Sequence, residues 1–154
     1  KPPLEFHLHA GIYRARPDVK AVVHAHPKWS TFLSMAGKPY LPVYAQGSLV
    51  YPMPLLDSPN SINNKVMADR LAATLGDRSA AMMKAHGAVT VGPNIVEAFV
   101  LANYMEENAH RQYMAMQIGE PYVFNDHELA MCREKLWNET LFKRAWDHFK
   151  AKLR

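Results

Sequence analysis

Two histidines sit two residues apart, His24 and His26, directly after the run Ala21-Val22-Val23. A short β-branched run of this kind predicts a strand. In a strand, residues i and i+2 leave the same face about 6.6 Å apart. From that spacing two imidazoles can converge on one cation about 2.0–2.1 Å from each nitrogen. A third histidine, His86, ends another strand pattern and is followed by Gly87. A glycine there allows a sharp backbone turn, so that the imidazole stands at the sheet edge. Three imidazoles with one position left over form the donor set of a catalytic divalent-metal site, whereas structural sites close with four ligands, often thiolates. The same histidines also fit hydrogen-bonded polar side chains without a metal, and spacing alone leaves both readings open.

Glu5 stands at the entrance of the first helix pattern. A carboxylate there is favoured by the helix dipole whatever else it does, and proton transfer is the functional alternative. His7 and His9 are also two apart, but in a helix pattern, where i and i+2 diverge and do not share a ligand. His110, His127 and His148 lie in helical stretches among charged residues and read as surface or interface groups.

The elements that would position these groups follow from periodicity. Leu4, Leu8, Ile12 and Ala15 recur near period 3.6 and predict a helix, which Arg16-Pro17-Asp18 stops. Pro27 opens a short helix to about Met35, ended by Gly37. Residues 39–59 are rich in Pro, Tyr and Val and predict short strands and ordered loops. Ser61 to Leu75 reads as a helix with Ile62, Val66, Met67, Leu71 and Leu75 on one face. Strands are expected at Ala80–Ala85 and Ala88–Val91, on either side of His86-Gly87. A long helix from Pro93 to about Gln117 follows, then two shorter ones over Asp126–Lys135 and Glu139–Leu153. The best architecture is α/β or α+β layering, α/β first, around a central, largely antiparallel sheet in one domain covering residues 1–154.

Composition narrows the class. The chain has 154 residues, 49% hydrophobic and 21% charged, which excludes intrinsic disorder. No run approaches the roughly 20 apolar residues a membrane helix needs. The net charge of +4 is mild. The densest basic group, Lys143, Arg144, Lys150, Lys152 and Arg154, is interleaved with Glu139 and Asp147, so it reads as a solvated helix face and not a nucleic-acid arm. The single cysteine, Cys132, cannot pair within the chain, and a reducing, cytoplasmic setting is expected. Nine methionines at mostly helical spacing read as core filler. The opening Lys1-Pro2-Pro3-Leu4 has neither Met nor a signal-peptide pattern, as expected for a cleaved leader or a missing beginning.

Taken together, Glu5 to His26 and Lys84-Ala85-His86-Gly87-Ala88-Val89 resemble the two motifs of the class II aldolase/adducin family. The first reads E-x3-H-x3-Y-x2-RPD-x2-AVVH-x-H, and the likeness extends from the start of the chain to about Met114. The resemblance implies a three-layer fold with a central mostly antiparallel sheet flanked by helices. It implies that His24, His26 and His86 hold one divalent metal, zinc first, with manganese, iron or cobalt as alternatives, and that Glu5 is the catalytic proton carrier beside it. It further implies a homo-oligomer, usually a tetramer, and a chain that represents the C-terminal two-thirds of a subunit.

Two departures bear on the reaction. Sugar-phosphate aldolases of the family carry hydroxyl side chains just before the Glu5 position, where Pro2, Pro3 and Leu4 stand here. The register of their proton-donating tyrosine gives Ala45 or Gln46, with Tyr44 displaced. The resemblance therefore leans to the decarboxylase branch: a carbon–carbon lyase that removes CO₂ from hydroxylated aromatic or muconic-type acids through a metal-stabilised enolate. The substrate is then a small carboxylic acid, with no nucleic-acid or membrane partner. Sugar-phosphate aldolase, epimerase or dehydratase chemistry is the alternative, and a non-catalytic adducin-like scaffold a second one. Phe6, Trp29 and Tyr44 are candidates for apolar walls around a ring, with core packing the commoner role.

Overall fold

The strands over residues 80–83 and 87–92 are buried along their whole length, so both sets of alternating side chains are covered. The structure is a computed structural model that describes residues 2–153. Four strands, β1 (Ala21–Ala25), β2 (Leu55–Leu56), β3 (Ala80–Met83) and β4 (Gly87–Gly92), form one sheet in the order β1-β4-β3-β2. β4 pairs antiparallel with β1 and with β3, and β2 joins β3 in parallel. Ala81, Met83, Val89 and Val91 face a core with Leu8, Ile12, Leu71 and Leu75. Ala80, Met82 and Ala88 face a second core with Leu33, Val100, Leu101 and Met105. A sheet apolar on both faces must be covered on both, and the three-layer, mostly antiparallel arrangement implied by the resemblance is what forms.

One cover consists of α1 (Phe6–Ala15) and α3 (Lys65–Leu75). The other contains α2 (Lys28–Met35), α4 (Ile95–Ile118), α6 (Glu139–Ala151) and a 3-10 helix over Ala45–Val50, with α5 (Asp126–Leu136) against that 3-10 helix. Helix starts are set by asparagines: Asn64, Asn94, Asn125 and Asn138 each accept a backbone N–H of the first turn. Gly11 lets α1 and α3 approach, since a Cβ there would lie 2.7 Å from the Ala68 Cβ.

Three expectations change. The helix expected from Ser61 starts at Lys65, because Asn64 caps it, and Val66 is 69% exposed instead of core-facing. The methionines divide: Met82, Met83 and Met105 are buried, whereas Met35, Met114 and Met131 are exposed. β3 stops at Met83, so Lys84 and Ala85 belong to the turn that delivers His86.

Long-range polar contacts fix the loops. Asn108, fully buried on α4, accepts from the N–H groups of Val43 and Tyr44 and donates to the Leu41 carbonyl. Gln112, one turn on, accepts from Leu41 N–H and donates to the Pro39 carbonyl. Arg16, from the Arg-Pro-Asp stop of α1, pairs with Asp18 and donates to the carbonyls of Gly76 and Arg78. That stop signal is thereby a structural bolt between α1 and the loop leading into β3. No helix among the described residues is long and apolar enough to cross a membrane.

Candidate metal centre

β1 carries His24 on its last turn of pleat, and His26 follows one residue beyond the strand end. Both leave the same face, as period two requires, and their Nε2 atoms lie 3.2 Å apart. Antiparallel pairing sets His24 opposite Val89 and Ala25 opposite Ala88, which brings the turn before β4, and with it His86, alongside. The His86 ring centroid lies 5.4 Å from that of His24 and 4.9 Å from that of His26. Glu5 closes the group: its Oε2 is 2.8 Å from His24 Nε2 and its Oε1 is 3.4 Å from His86 Nε2. One donor atom from each of these four residues lies within 4.8 Å of the others. The structure brings together Glu5, His24, His26 and His86, the ligand and proton-carrier candidates named from the sequence.

Local details differ from expectation. Glu5 is the N-cap residue of α1 but makes no side-chain cap bond. Its carboxylate instead accepts the Ile62 N–H at 3.2 Å and turns into the cluster. Gly87 does not make the turn. The left-handed residue is Ala85, at φ 53. Gly87 serves close approach: a Cβ there would press on the Ala25 carbonyl oxygen and lie 2.8 Å from His26 Cδ2. Of the candidate walls, Phe6 is 50% exposed and is not core. Trp29 stacks on His110 at 4.1 Å, and the Tyr44 ring lies under the Arg111 guanidinium. His110 is thus a half-buried packing partner and not a free surface group.

The donor set fits a divalent cation. The Ala88 carbonyl lies 3.0 Å from His24 Nδ1. A carbonyl only accepts, so Nδ1 carries the proton and the Nε2 lone pair points inward. That lone pair faces a carboxylate oxygen at 2.8 Å. Two acceptors at that distance are compatible only with a shared positive charge, a ring proton or a cation. Two nitrogens bound tetrahedrally at 2.0–2.1 Å lie roughly 3.3 Å apart, which the 3.2 Å between His24 and His26 matches. Burial pushes the His86 imidazole pKa down; Glu5 opposes this, and His24 and His26 add to it, so the ring favours the neutral, ligating form. Burial pushes the Glu5 carboxyl up, but His24, the Ile62 N–H and His86 outweigh it and hold the group below its usual value.

His9 on α1 is half-buried and feels the charge of the same centre. Burial and then His24 lower its pKa, while Glu5 raises it. The available signal was its spacing of four, about one helical turn, from Glu5, the N-cap of α1. Ser34, Glu106 and Asn108 also support the surroundings and were not singled out from sequence.

Residues 1–113 match the Class II Aldolase and Adducin N-terminal domain, and the chain belongs to that family. A 5-methylthioribulose-1-phosphate/5-deoxyribulose-1-phosphate aldolase of Rhodospirillum rubrum is 29% identical, over 88% of this chain and 62% of its own. A 3,4-dihydroxyphthalate decarboxylase of a Terrabacter species is 30% identical, over 66% of this chain and 45% of its own. A solved L-fuculose 1-phosphate aldolase superposes with a TM-score of 0.81 at 25% identity, covering 89% of this chain and 65% of its own. The chain thus spans under two thirds of the length of these relatives.

Proposed function

We propose that the chain carries the metal centre of a divalent-metal-dependent carbon–carbon lyase, with His24, His26 and His86 as ligands and Glu5 as the proton carrier. The observation that supports this most is the meeting of four donors from three distant segments within 4.8 Å. When bound, a divalent cation supplies Lewis-acid polarisation of substrate oxygens, typically worth several kcal/mol. The chain does the rest. Ala88 holds the His24 tautomer that presents Nε2. Ile62 N–H fixes Glu5 Oε1, which holds Oε2 against His24 Nε2. Held ionised at rest, Glu5 takes up a proton from a substrate hydroxyl or from water. It returns that proton to the carbon that keeps the electron pair of the broken bond.

Decarboxylation of a hydroxylated aromatic or muconic-type acid is the first substrate reading. Pro2, Pro3 and Leu4 offer no hydroxyl before Glu5, and the likeness to a dihydroxyphthalate decarboxylase supports it. Aldol cleavage of a sugar phosphate is the second, favoured by the sugar-phosphate aldolases among the relatives. Zinc is the first choice of metal. One domain over residues 1–154, assembly into a homo-oligomer, a tetramer first, and a cytoplasmic setting belong to the same proposal.

The test uses the protein with two substrate types, a dihydroxyphthalate and a ketose 1-phosphate, following CO₂ and aldehyde release. His24→Ala or His86→Ala is expected to remove both bound metal and turnover. Glu5→Gln keeps the metal and slows turnover by about 10²–10⁴-fold. Full turnover in metal-stripped protein would refute the proposal.

A further inference from the structure

We infer that Ser34 of α2 is a positioning residue for His86, acting through the left-handed residue Ala85. His86 is delivered by the turn over Lys84 and Ala85, closed by the His86 N–H donating to the Met83 carbonyl at 3.1 Å. Ala85 sits at φ 53. For a residue with a Cβ this region is disfavoured by roughly 5- to 30-fold, and the turn would ordinarily ask for glycine there. What holds it is a side chain 51 residues away: the Ala85 N–H donates to Ser34 Oγ at 2.9 Å. Ser34 is only 4% exposed, so water does not compete readily. Its single hydroxyl proton is committed to the Thr31 carbonyl at 2.7 Å, which aims a lone pair at Ala85.

The helix presenting Ser34 is itself anchored next to the metal centre. α2 begins two residues after His26, and its first N–H groups are met from α4. Glu106 accepts from Trp29 N–H at 2.6 Å, and from Ser30 N–H and Ser30 Oγ at 3.0 Å each. Ser30 and Ser34, four apart, are the two ends of one brace. One tie sits beside the exit of His26 and the other carries the turn of His86. Affinity for a cation at the three imidazoles then scales with the fraction of molecules in which the turn is formed.

The affinity arm of this inference rests on the metal reading above; the exchange arm does not. The experiment compares wild type, Ser34→Ala, Ala85→Gly and the double variant. Cobalt(II) titration followed by visible absorption gives Kd. Amide exchange at Ala85 and His86 in metal-free protein gives the stability of the turn. Ser34→Ala is expected to raise the cobalt Kd about tenfold and to speed exchange at both amides by a similar factor. Glycine takes the left-handed conformation without help. Ala85→Gly therefore binds at least as tightly as wild type, and adding it to Ser34→Ala brings Kd back to within about threefold. Unchanged exchange at both amides in Ser34→Ala, a Kd loss that glycine does not restore, or weaker binding by Ala85→Gly alone overturns the inference. Should Ser34→Ala fail to fold, Ser34→Cys, which keeps the size of the side chain but accepts only weakly, takes its place with the same expected outcomes. A wild-type protein that takes up no cobalt removes the metal reading, and the exchange data still decide the role of Ser34.

Discussion

Replacing Gly87 by alanine tests the idea that close backbone approach, and not turn geometry, explains the glycine after His86. The new Cβ meets two things at once: the Ala25 carbonyl oxygen, at a separation real Cβ atoms do not tolerate, and His26 Cδ2 at 2.8 Å. Neither is the free end of a flexible chain. The carbonyl belongs to β1, whose Ala25 pairs with Ala88, and the imidazole sits against the cluster. Relief requires β1 to draw away from β4 or the His26 ring to swing out. Overpacking of this kind costs about 1–3 kcal/mol. For a chain of this size each kcal/mol lowers Tm by about 2–4 °C, so a fall of about 2–12 °C is expected. Because either relief route moves His26, metal Kd should also rise by roughly tenfold or more. Differential scanning calorimetry and a metal titration measure the two effects. Gly119→Ala is the control, since a Cβ there meets nothing within 4 Å and its φ of 164 is extended backbone. A Gly87→Ala protein with wild-type Tm and wild-type metal affinity would refute the reasoning. So would an equal loss in Gly119→Ala.

Two further predictions concern the supports. Glu106→Ala strips three donors, Trp29 N–H, Ser30 N–H and Ser30 Oγ, of a charged acceptor; the expected cost is about 2–3 kcal/mol in urea denaturation, and a change under about 0.5 kcal/mol would count against it. Glu128 completes the capping box of α5. Tyr122 and the Asn125 N–H hold its carboxyl below the usual 4.5, against a smaller opposing effect of burial. Its contribution is therefore present above the unfolded-state value and is lost as pH falls through the depressed folded one. Exchange of the Asn125 amide should accelerate across that acid window in wild type. It should be fast and flat with pH, after correction for intrinsic exchange, in Glu128→Ala; a pH-dependent rise that survives the substitution would refute the assignment.

The polar supports were hidden because their partners are far away in the chain. Ser34 and Glu106 look like ordinary polar helix residues until β3–β4 and α2 are folded against them, 51 and 77 positions distant. Asn108 and Gln112 left a trace. They continue the face of Leu101, Met105 and Ala109 on α4, so two amides were due to be buried and had to find partners. Period alone could not say that these would be the backbone of residues 39–44.

The amino-acid sequence by itself named the four residues of the candidate centre and showed which of them share a face. Strand period aligns His24 with His26, and the composite motif singles out His86 and Glu5. It also indicated layering of helices around a central, largely antiparallel sheet, since strand and helix patterns mix along the chain with short turns between them. Only the tertiary structure decided the distances. The antiparallel register of β1 on β4 sets how near His86 comes to His24 and His26, and the Ile62 N–H draws the Glu5 carboxylate into the cluster. It also decided which residue bears the backbone strain. A glycine in a sequence signals either a positive φ or a close neighbour. The two become distinguishable when the chain is packed: Ala85 takes the φ, and Gly87 takes the neighbour.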